Sequence, residues 1–215
     1  MSLEGERALG KKDMKRIITP LLLTSALASP AWADDYVLDR DHTYAYFKVM
    51  HMSRGLLTGV FKDVTGSMRI DGDAVQSVQV EIDVASVDTF NAARDAHLKS
   101  PDYFNARRYP KMTFRSSAVK QVAEGRYELT GKLQIRGQTK TITVAATRGT
   151  TGKDPFGGFR TGGNVTFTID RRAFGITHMP KELVGDEITI DLYWEALEKS
   201  SVETYFANLR KATGG

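Results

Sequence analysis

The sequence predicts an all-β fold of eight strands, with a short helical insert and a short C-terminal helix. Apolar and polar residues alternate with a period of two through most of residues 43–195, which is typical of strands with one buried face. The stretch 86–114 interrupts this alternation and carries helix-capping residues. With 215 residues and 41% hydrophobic content, the chain can bury the core of one β domain.

Residues 14–33 have the composition of a secretory signal peptide. A Lys-Arg pair is followed by the apolar stretch 17–28 and by an Ala-Trp-Ala motif that ends at Ala33. The apolar stretch is about half the ~20 residues that a membrane-spanning helix needs. We therefore expect a periplasmic protein without a transmembrane span, cleaved after Ala33. Its physiological start is expected at Met14, with residues 1–13 as an upstream extension.

Charge and cysteine content argue against several classes of function. The net charge is +4, and positive and negative residues are interspersed without a basic block, so no nucleic-acid partner is predicted. The chain contains no Cys, which excludes disulfides, a thiolate nucleophile and a zinc–thiolate site. An exported chain of this kind must be held together by its hydrophobic core.

Eight segments show strand alternation, and each presents one apolar face. They lie at residues 43–49, 58–70, 78–84, 111–115, 127–135, 142–144, 164–170 and 188–195. Phe61 and Val64 break the parity of the second segment, which predicts a β-bulge or a glycine bend. Arg136-Gly137 predicts a tight hairpin. Without helices to cover a sheet, the strands form either a sandwich or a closed barrel, and their length favours the barrel.

The interrupting stretch predicts a polar, partly helical insert that serves as a lid or brace of the barrel. Asn91 can cap a short helix on which Arg94 and His97 share one face. Ser100 followed by Pro predicts that a second helical turn begins there. Tyr109, which precedes a Pro, returns the chain to extended geometry.

Residues 200–215 predict an amphipathic helix that packs on the barrel. Ser200 and Glu203 have the spacing of a capping box. Four apolar residues follow at i, i+3, i+4 and i+7: Val202, Tyr205, Phe206 and Leu209. The alternative is a tail that docks on a membrane or on a partner.

The sequence contains no recognisable catalytic, cofactor or metal-binding motif. The four His residues lack a ligand-type spacing, and neither a G-x-S-x-G elbow nor a phosphate-binding glycine loop is present. Two basic clusters, residues 94–98 and 171–175, either brace the barrel or contact the polar head of a ligand. His51 shares the parity of Phe47 and Val49, so we expect it to face inward at a strand end.

Short motifs follow one another in a characteristic order from Tyr36 to Leu197. They are Tyr36-x-Leu38-Asp39, Asp41-His42-Thr43, Phe47-x-Val49-x-His51, Gly59-x-Phe61, Ser86-Val87-Asp88-Thr89, Arg94-Asp95-x-His97-Leu98, Phe104, Tyr109-Pro110-x-Met112-Thr113-Phe114, Arg136-Gly137, Arg172-x-Phe174-Gly175 and Val184-Gly185-Asp186. With this series the chain resembles the YceI family, the lipid- or polyisoprenoid-binding proteins of the bacterial periplasm.

The resemblance implies a lipocalin-like, eight-stranded antiparallel barrel over residues 34–199 that holds one amphiphile. Two departures from the family pattern concern Thr43, where Ser is common, and Val64, where an aromatic residue is common; they could widen or reshape the lumen. The tail after Leu197 exceeds the usual family end, so nothing is transferred to it.

We therefore expect a polyisoprenoid, an isoprenoid quinone or a fatty-acyl chain in the lumen, held for transport, storage or stress response. Each buried methylene contributes ~0.8 kcal/mol to binding before the costs of association. The predicted ligand-binding residues are Phe47, Val49, His51, Phe61, Arg94, His97, Phe104, Phe114, Leu133, Phe167, Ile169, Arg172 and Phe174. No catalytic residue, metal ligand or cofactor is predicted.

Two alternatives to this function remain open at this point. The protein could be an enzyme that acts on a lipid in the same cavity through His51, Arg94, Asp95 or His97. It could also be a closed, ligand-free barrel that serves as a protein-interaction or stress module. Exposed tyrosines on the first strand would suit a homodimer.

Overall fold

The computed structural model describes residues 36–72 and 74–214. The predicted signal peptide, the cleavage position and the upstream extension lie outside these residues. The strands are β1 (Tyr36–Leu38), β2 (Tyr44–His51), β3 (Gly55–Phe61), β4 (Val64–Asp71), β5 (Ala74–Asp83), β6 (Val87–Asp88), β7 (Lys111–Ala123), β8 (Arg126–Ile135), β9 (Gln138–Arg148), β10 (Gly152–Lys153), β11 (Phe159–Asp170) and β12 (Val184–Glu198). The helices are α1 (Ala92–Lys99) and α2 (Val202–Thr213).

These strands form one antiparallel sheet that closes on itself, because β12 pairs with β11 on one side and with β1 and β2 on the other. Three strands of the barrel are each divided by a bend into two consecutive segments. These segments are β1 and β2, β3 and β4, and β5 and β6. Together with β7, β8, β9, β11 and β12 they complete a ring of eight. The predicted eight-stranded antiparallel barrel is confirmed, and the sandwich is excluded.

The parity break in the second predicted strand is a true interruption between β3 and β4. Phe61 ends β3 and Val64 begins β4, and both side chains are buried. Lys62 and Asp63 form the bend between them. Phe61 and Val64 therefore belong to different strands, and both can point to the core although they are three residues apart. The predicted hairpin is also confirmed: Arg136 and Gly137 both have positive φ angles, 48° and 76°, as a tight turn between β8 and β9 requires.

The helical insert is present, and it contains one α-helix, α1, with no second helix after it. Asn91 caps α1, its side-chain oxygen accepting a hydrogen bond from the backbone N–H of Arg94. The predicted second helical turn at Ser100 forms as a single turn and does not continue into a helix: the N–H of Tyr103 donates to the carbonyl of Ser100, and the N–H of Asp102 donates to the Ser100 hydroxyl. There the chain folds back over the end of α1, and the N–H of Phe104 donates to the carbonyl of Leu98. The N–H of Ala106 likewise donates to the carbonyl of Lys99, so the segment that follows α1 satisfies its last carbonyls.

The C-terminal helix packs on the outside of the barrel, as expected. Tyr205 is buried against Phe156, and the Arg160 guanidinium lies 4.8 Å from the centre of its ring. The capping box predicted at Ser200 does not form, and the side chain of Ser201 instead accepts a hydrogen bond from the backbone N–H of Phe159. Within the described residues, neither α-helix combines the length and apolar character needed to cross a membrane.

Candidate ligand-binding cavity

The interior of the barrel contains a cavity with an almost wholly apolar wall. The space open to the centre of a water-sized sphere is about 110 Å³, several times the roughly 10–15 Å³ that one ordered water needs. The apolar residues of the wall are Leu38, Ala45, Met68, Val75, Val78, Val80, Ile82, Met112, Phe114, Tyr127, Leu129, Leu133, Ile142, Val144, Ala146, Val165, Phe167, Ile190, Leu192 and Trp194. Since such a wall offers water few hydrogen bonds, the cavity favours hydrocarbon.

The strand alternation explains why these side chains meet in the lumen. On β9, Ile142, Val144 and Ala146 share one parity and all face the cavity, while Ala145 between them is exposed. Small side chains at Ala45 and Ala146 help to leave the space open. The cavity is therefore a consequence of residue size as well as of the two-residue period.

One end of the cavity wall is polar. Thr147 and Arg148 lie there, at the C-terminal end of β9. The guanidinium of Arg148 donates hydrogen bonds to the hydroxyls of Thr151, at 2.5 Å, and Thr161, at 3.3 Å. Among the described residues of the wall, Arg148 is the one with a charged side chain. A guanidinium in this position can bind the carboxylate or phosphate of an amphiphile.

Sequence reasoning missed Arg148, although a signal for it exists. Arg148 has the same parity as Ile142, Val144 and Ala146, so a strand that continued to this position would point it inward. An Arg that follows a row of inward-facing apolar residues on one strand indicates the end of the lumen at which the polar head of a ligand would lie. The head-group contacts predicted from the sequence lie instead in the helical insert and at residues 171–175.

The insert lies at the other end of the barrel. Arg136, in the hairpin at the opposite end of β9 from Arg148, donates a hydrogen bond to the carbonyl of Pro101 in the insert. Here the lumen is filled by aromatic rings: the centroid of Phe61 lies 5.4 Å from that of Phe47 and 5.6 Å from that of Phe104. The barrel is thus packed near the insert and hollow towards Arg148.

The predicted apolar site residues divide between these two regions. Phe114, Leu133 and Phe167 line the cavity. The others are in the packed part of the barrel or buried elsewhere and do not line it: Phe47, Val49, Phe61, Phe104, Ile169 and Phe174. A two-residue period identifies the inward face of a strand but not how much space remains there, which is why the sequence grouped both sets together.

The predicted polar site residues lie outside the cavity wall. Arg94 donates hydrogen bonds to the hydroxyl and the carbonyl of Thr89, while Asp95 accepts hydrogen bonds from the N–H and the hydroxyl of the same residue. Arg172 binds Asp186 at 2.6 Å. These contacts correspond to the bracing alternative for both basic clusters.

The two predicted histidines occupy different positions. His51 ends β2, paired with Gly55 and Val184. His97 lies in the last turn of α1, with Nε2 at 3.2 Å from a carboxylate oxygen of Asp102. No imidazole or carboxylate of the described residues lines the cavity. Ligand binding by either histidine stays a prediction.

Comparison with known proteins agrees with this architecture. The family model of the YceI-like domain matches residues 36–196. A UPF0312 protein of Pseudomonas syringae pv. syringae (strain B728a) is 35% identical over 192 residues, which cover 86% of this chain and 99% of the relative.

Two solved structures show similar folds. The crystal structure of Burkholderia cenocepacia BcnA has a TM-score of 0.67 at 26% identity, covering 74% of this chain and 98% of BcnA. A polyisoprenoid binding domain from Saccharophagus degradans, implicated in plant cell wall breakdown, has a TM-score of 0.60 at 17% identity and covers 77% of this chain and 99% of that domain. With its closed barrel, its helical insert and a family match over most of its length, the chain belongs to the family of YceI-like domain proteins.

Proposed function

We propose that this protein binds one amphiphilic lipid, with the hydrocarbon chain in the barrel cavity and the polar head near Arg148. The observation that carries the proposal is the cavity of about 110 Å³ inside the barrel, with its apolar wall. Each methylene that enters contributes ~0.8 kcal/mol, so a chain of about ten would offset a substantial cost of association.

Two observations support the class of ligand. An isoprenoid or acyl chain is narrow and apolar along its length, which suits a cavity bounded by strands on all sides. The structural neighbour from Saccharophagus degradans is described as a polyisoprenoid binding domain. We accordingly favour a polyisoprenoid, an isoprenoid quinone or a fatty-acyl amphiphile.

The proposed role is that of a periplasmic carrier for transport, storage or stress response. It rests on the signal-peptide pattern of residues 14–33 together with the cavity. A long-chain lipid is poorly soluble in an aqueous compartment and needs an apolar container to cross it. Binding rather than turnover is proposed because the described wall carries no imidazole or carboxylate that could act as general acid or base.

The experiment combines lipid analysis with a matched pair of variants on β9. Ala146 faces the cavity and Ala145 faces outward, so Ala146→Phe fills the lumen while Ala145→Phe adds the same ring to the surface. We expect the exported protein to yield a co-purifying lipid on extraction and mass spectrometry. After delipidation, wild type and Ala145→Phe should bind geranylgeraniol or oleic acid, and Ala146→Phe should bind them at least tenfold more weakly.

Two results would contradict the proposal. One is a wild-type protein that neither carries a lipid nor takes up either probe. The other is an Ala146→Phe protein, folded by circular dichroism, that binds both probes as tightly as wild type does. Conversion of a probe into a new product would instead favour an enzyme.

A further inference from the structure

We infer that His97, Asp102 and His178 form a binding site for a divalent transition-metal ion such as Zn²⁺. The three residues come from separate segments: the last turn of α1, the turn that follows it, and the loop between β11 and β12. One ligand atom from each lies within 4.8 Å of the other two. The site is at the insert end of the barrel, and it is independent of the lipid-binding proposal.

The geometry suits a metal ion that draws the three side chains together. Nε2 of His97 and a carboxylate oxygen of Asp102 are already 3.2 Å apart. In a tetrahedral site with bonds of 2.0–2.1 Å, ligand atoms lie roughly 3.4 Å from each other, so no separation needs to contract by more than about 1.4 Å. The His97 and Asp102 side chains are 44% and 54% exposed, and they can move without disturbing the core.

A second observation points to a missing partner for His178. Its Nε2 atom is buried and makes no hydrogen bond within the described residues. Leaving a buried polar atom unsatisfied costs about 1–3 kcal/mol. A cation bound through this nitrogen would supply the partner that it lacks.

The surroundings hold the His178 ring in place for such a role. The rings of His97 and Tyr103 both pack edge-on against it, each with its centroid 5.2 Å from that of His178. The backbone carbonyl of His178 accepts a hydrogen bond from the buried Arg171 guanidinium. Arg171 therefore fixes the backbone of the loop that carries His178.

The donor set decides the class of metal. Two imidazoles and one carboxylate favour Zn²⁺ and related ions, whereas Mg²⁺ and Ca²⁺ prefer oxygen ligands throughout. Three protein ligands leave a fourth position for water or for a group from another molecule. A metal bound here would connect the helical insert to the loop between β11 and β12.

A second cluster of similar composition serves as an internal control. Asp39, His42 and Glu195 also lie close together, but Arg160 already binds both carboxylates, at 2.6 Å from Asp39 and 2.7 Å from Glu195. A positive charge thus occupies the place that a cation would take. The His42 side chain is 51% exposed, close to the value for His97, so His42→Ala is a matched control for His97→Ala.

The test uses tag-free protein stripped of metal with a chelator and then titrated with Zn²⁺ in a calorimeter. We expect binding of one Zn²⁺ per chain, and no comparable binding of Mg²⁺. His97→Ala and His178→Ala should weaken Zn²⁺ binding at least tenfold, and so should the near-isosteric Asp102→Asn. His42→Ala should bind Zn²⁺ as wild type does. Co²⁺ should give the visible absorption of a four-coordinate site in wild type and in His42→Ala, but not in the three ligand variants.

A wild-type protein without saturable Zn²⁺ binding would overturn the inference. Equal Zn²⁺ binding by wild type and by all three ligand variants would overturn it as well. The chain contains four His and no Cys that could bind Zn²⁺. The single variants His97→Ala, His178→Ala and His42→Ala together test three of the four imidazoles. Should His178→Ala fail to fold, the surface variants His97→Ala and Asp102→Asn still decide the question.

Discussion

Asp39 is a buried carboxylate with three hydrogen-bond donors around it. Arg160 and His42 bind one of its oxygens at 2.6 Å and 2.9 Å, and the backbone N–H of Asp41 donates to the other. Burial by itself raises the pKa of Asp39, but the hydrogen bonds from Arg160 and His42 outweigh it, so the pKa lies below its ordinary value. The ionised form therefore stabilises the folded protein.

This residue gives stability a defined pH dependence. A carboxyl whose folded pKa is depressed contributes stability above its unfolded pKa of about 3.9, and the contribution is lost as the pH falls through the folded value. We expect Asp39→Asn to lower the free energy of unfolding by about 2 kcal/mol at pH 7. The difference from wild type should shrink below about pH 4.

Urea unfolding at pH 7 and at pH 3 measures both quantities. The exposed neighbour Asp41 provides the control, and Asp41→Asn should leave the unfolding midpoint close to that of wild type at both pH values. An equally large Asp39→Asn deficit at pH 3 and pH 7 would contradict the assignment of this stability to the ionised carboxylate.

At the scale of elements, the segment between β11 and β12 is organised by one side chain. Arg171 places all five of its N–H donors on backbone carbonyls of Ile176, His178, Met179, Val184 and Gly185. The segment has no regular strand or α-helix of its own, so these hydrogen bonds replace the backbone hydrogen bonds that a strand or a helix would make. Of the two adjacent arginines, Arg172 is the one predicted from the sequence to bind ligand, whereas Arg171 is the one that is buried.

We expect this difference to appear in a pair of Lys substitutions. A lysine at position 171 keeps the charge but cannot reach five carbonyls, so Arg171→Lys should cost about 2–4 kcal/mol of unfolding free energy. Arg172, whose side chain is 35% exposed, should tolerate Arg172→Lys with a loss of about 1 kcal/mol or less. Chemical denaturation of the two variants checks this, and similar losses would show that Arg171 does not organise the segment.

At the scale of the whole molecule, the barrel combines a packed end and a hollow end. The aromatic cluster around Phe61 and the helical insert close one end, while the cavity extends towards Arg148 at the other. The close packing around Phe61 stabilises the fold. At the hollow end, apolar side chains face the cavity without protein atoms in contact with them. A chain in the cavity would restore those missing contacts.

Ligand occupancy should therefore raise the stability of the entire barrel. Any ligand that binds only the folded state stabilises it by about 2.7 kcal/mol at a concentration of 100 times its dissociation constant, or roughly 5–10 °C in Tm for a domain of this size. We expect that shift when delipidated protein is reloaded with oleic acid.

The control is a saturated acid with a chain of only a few carbons, which buries too few methylenes to bind. Thermal unfolding followed by circular dichroism gives the shift for both acids. Equal shifts with the short and the long acid would mean that the hydrocarbon chain does not enter the cavity.

The amino-acid sequence by itself determined the elements of this fold and the face that each strand buries. Both are local properties: the two-residue period, the Asn91 cap and the Arg136-Gly137 turn each depend on residues that are close together in the chain. Closure of the barrel followed from them and from the family resemblance, since eight strands with one apolar face each have few ways to bury it.

Only the tertiary structure decided where the lumen is empty and which polar groups meet. Phe47 and Phe114 look alike in strand pattern, yet one packs against Phe61 and the other lines the cavity. His97 and His178 come together only through the fold. Free space and side-chain clusters depend on the summed volumes and positions of residues from distant strands, and no local pattern contains that information.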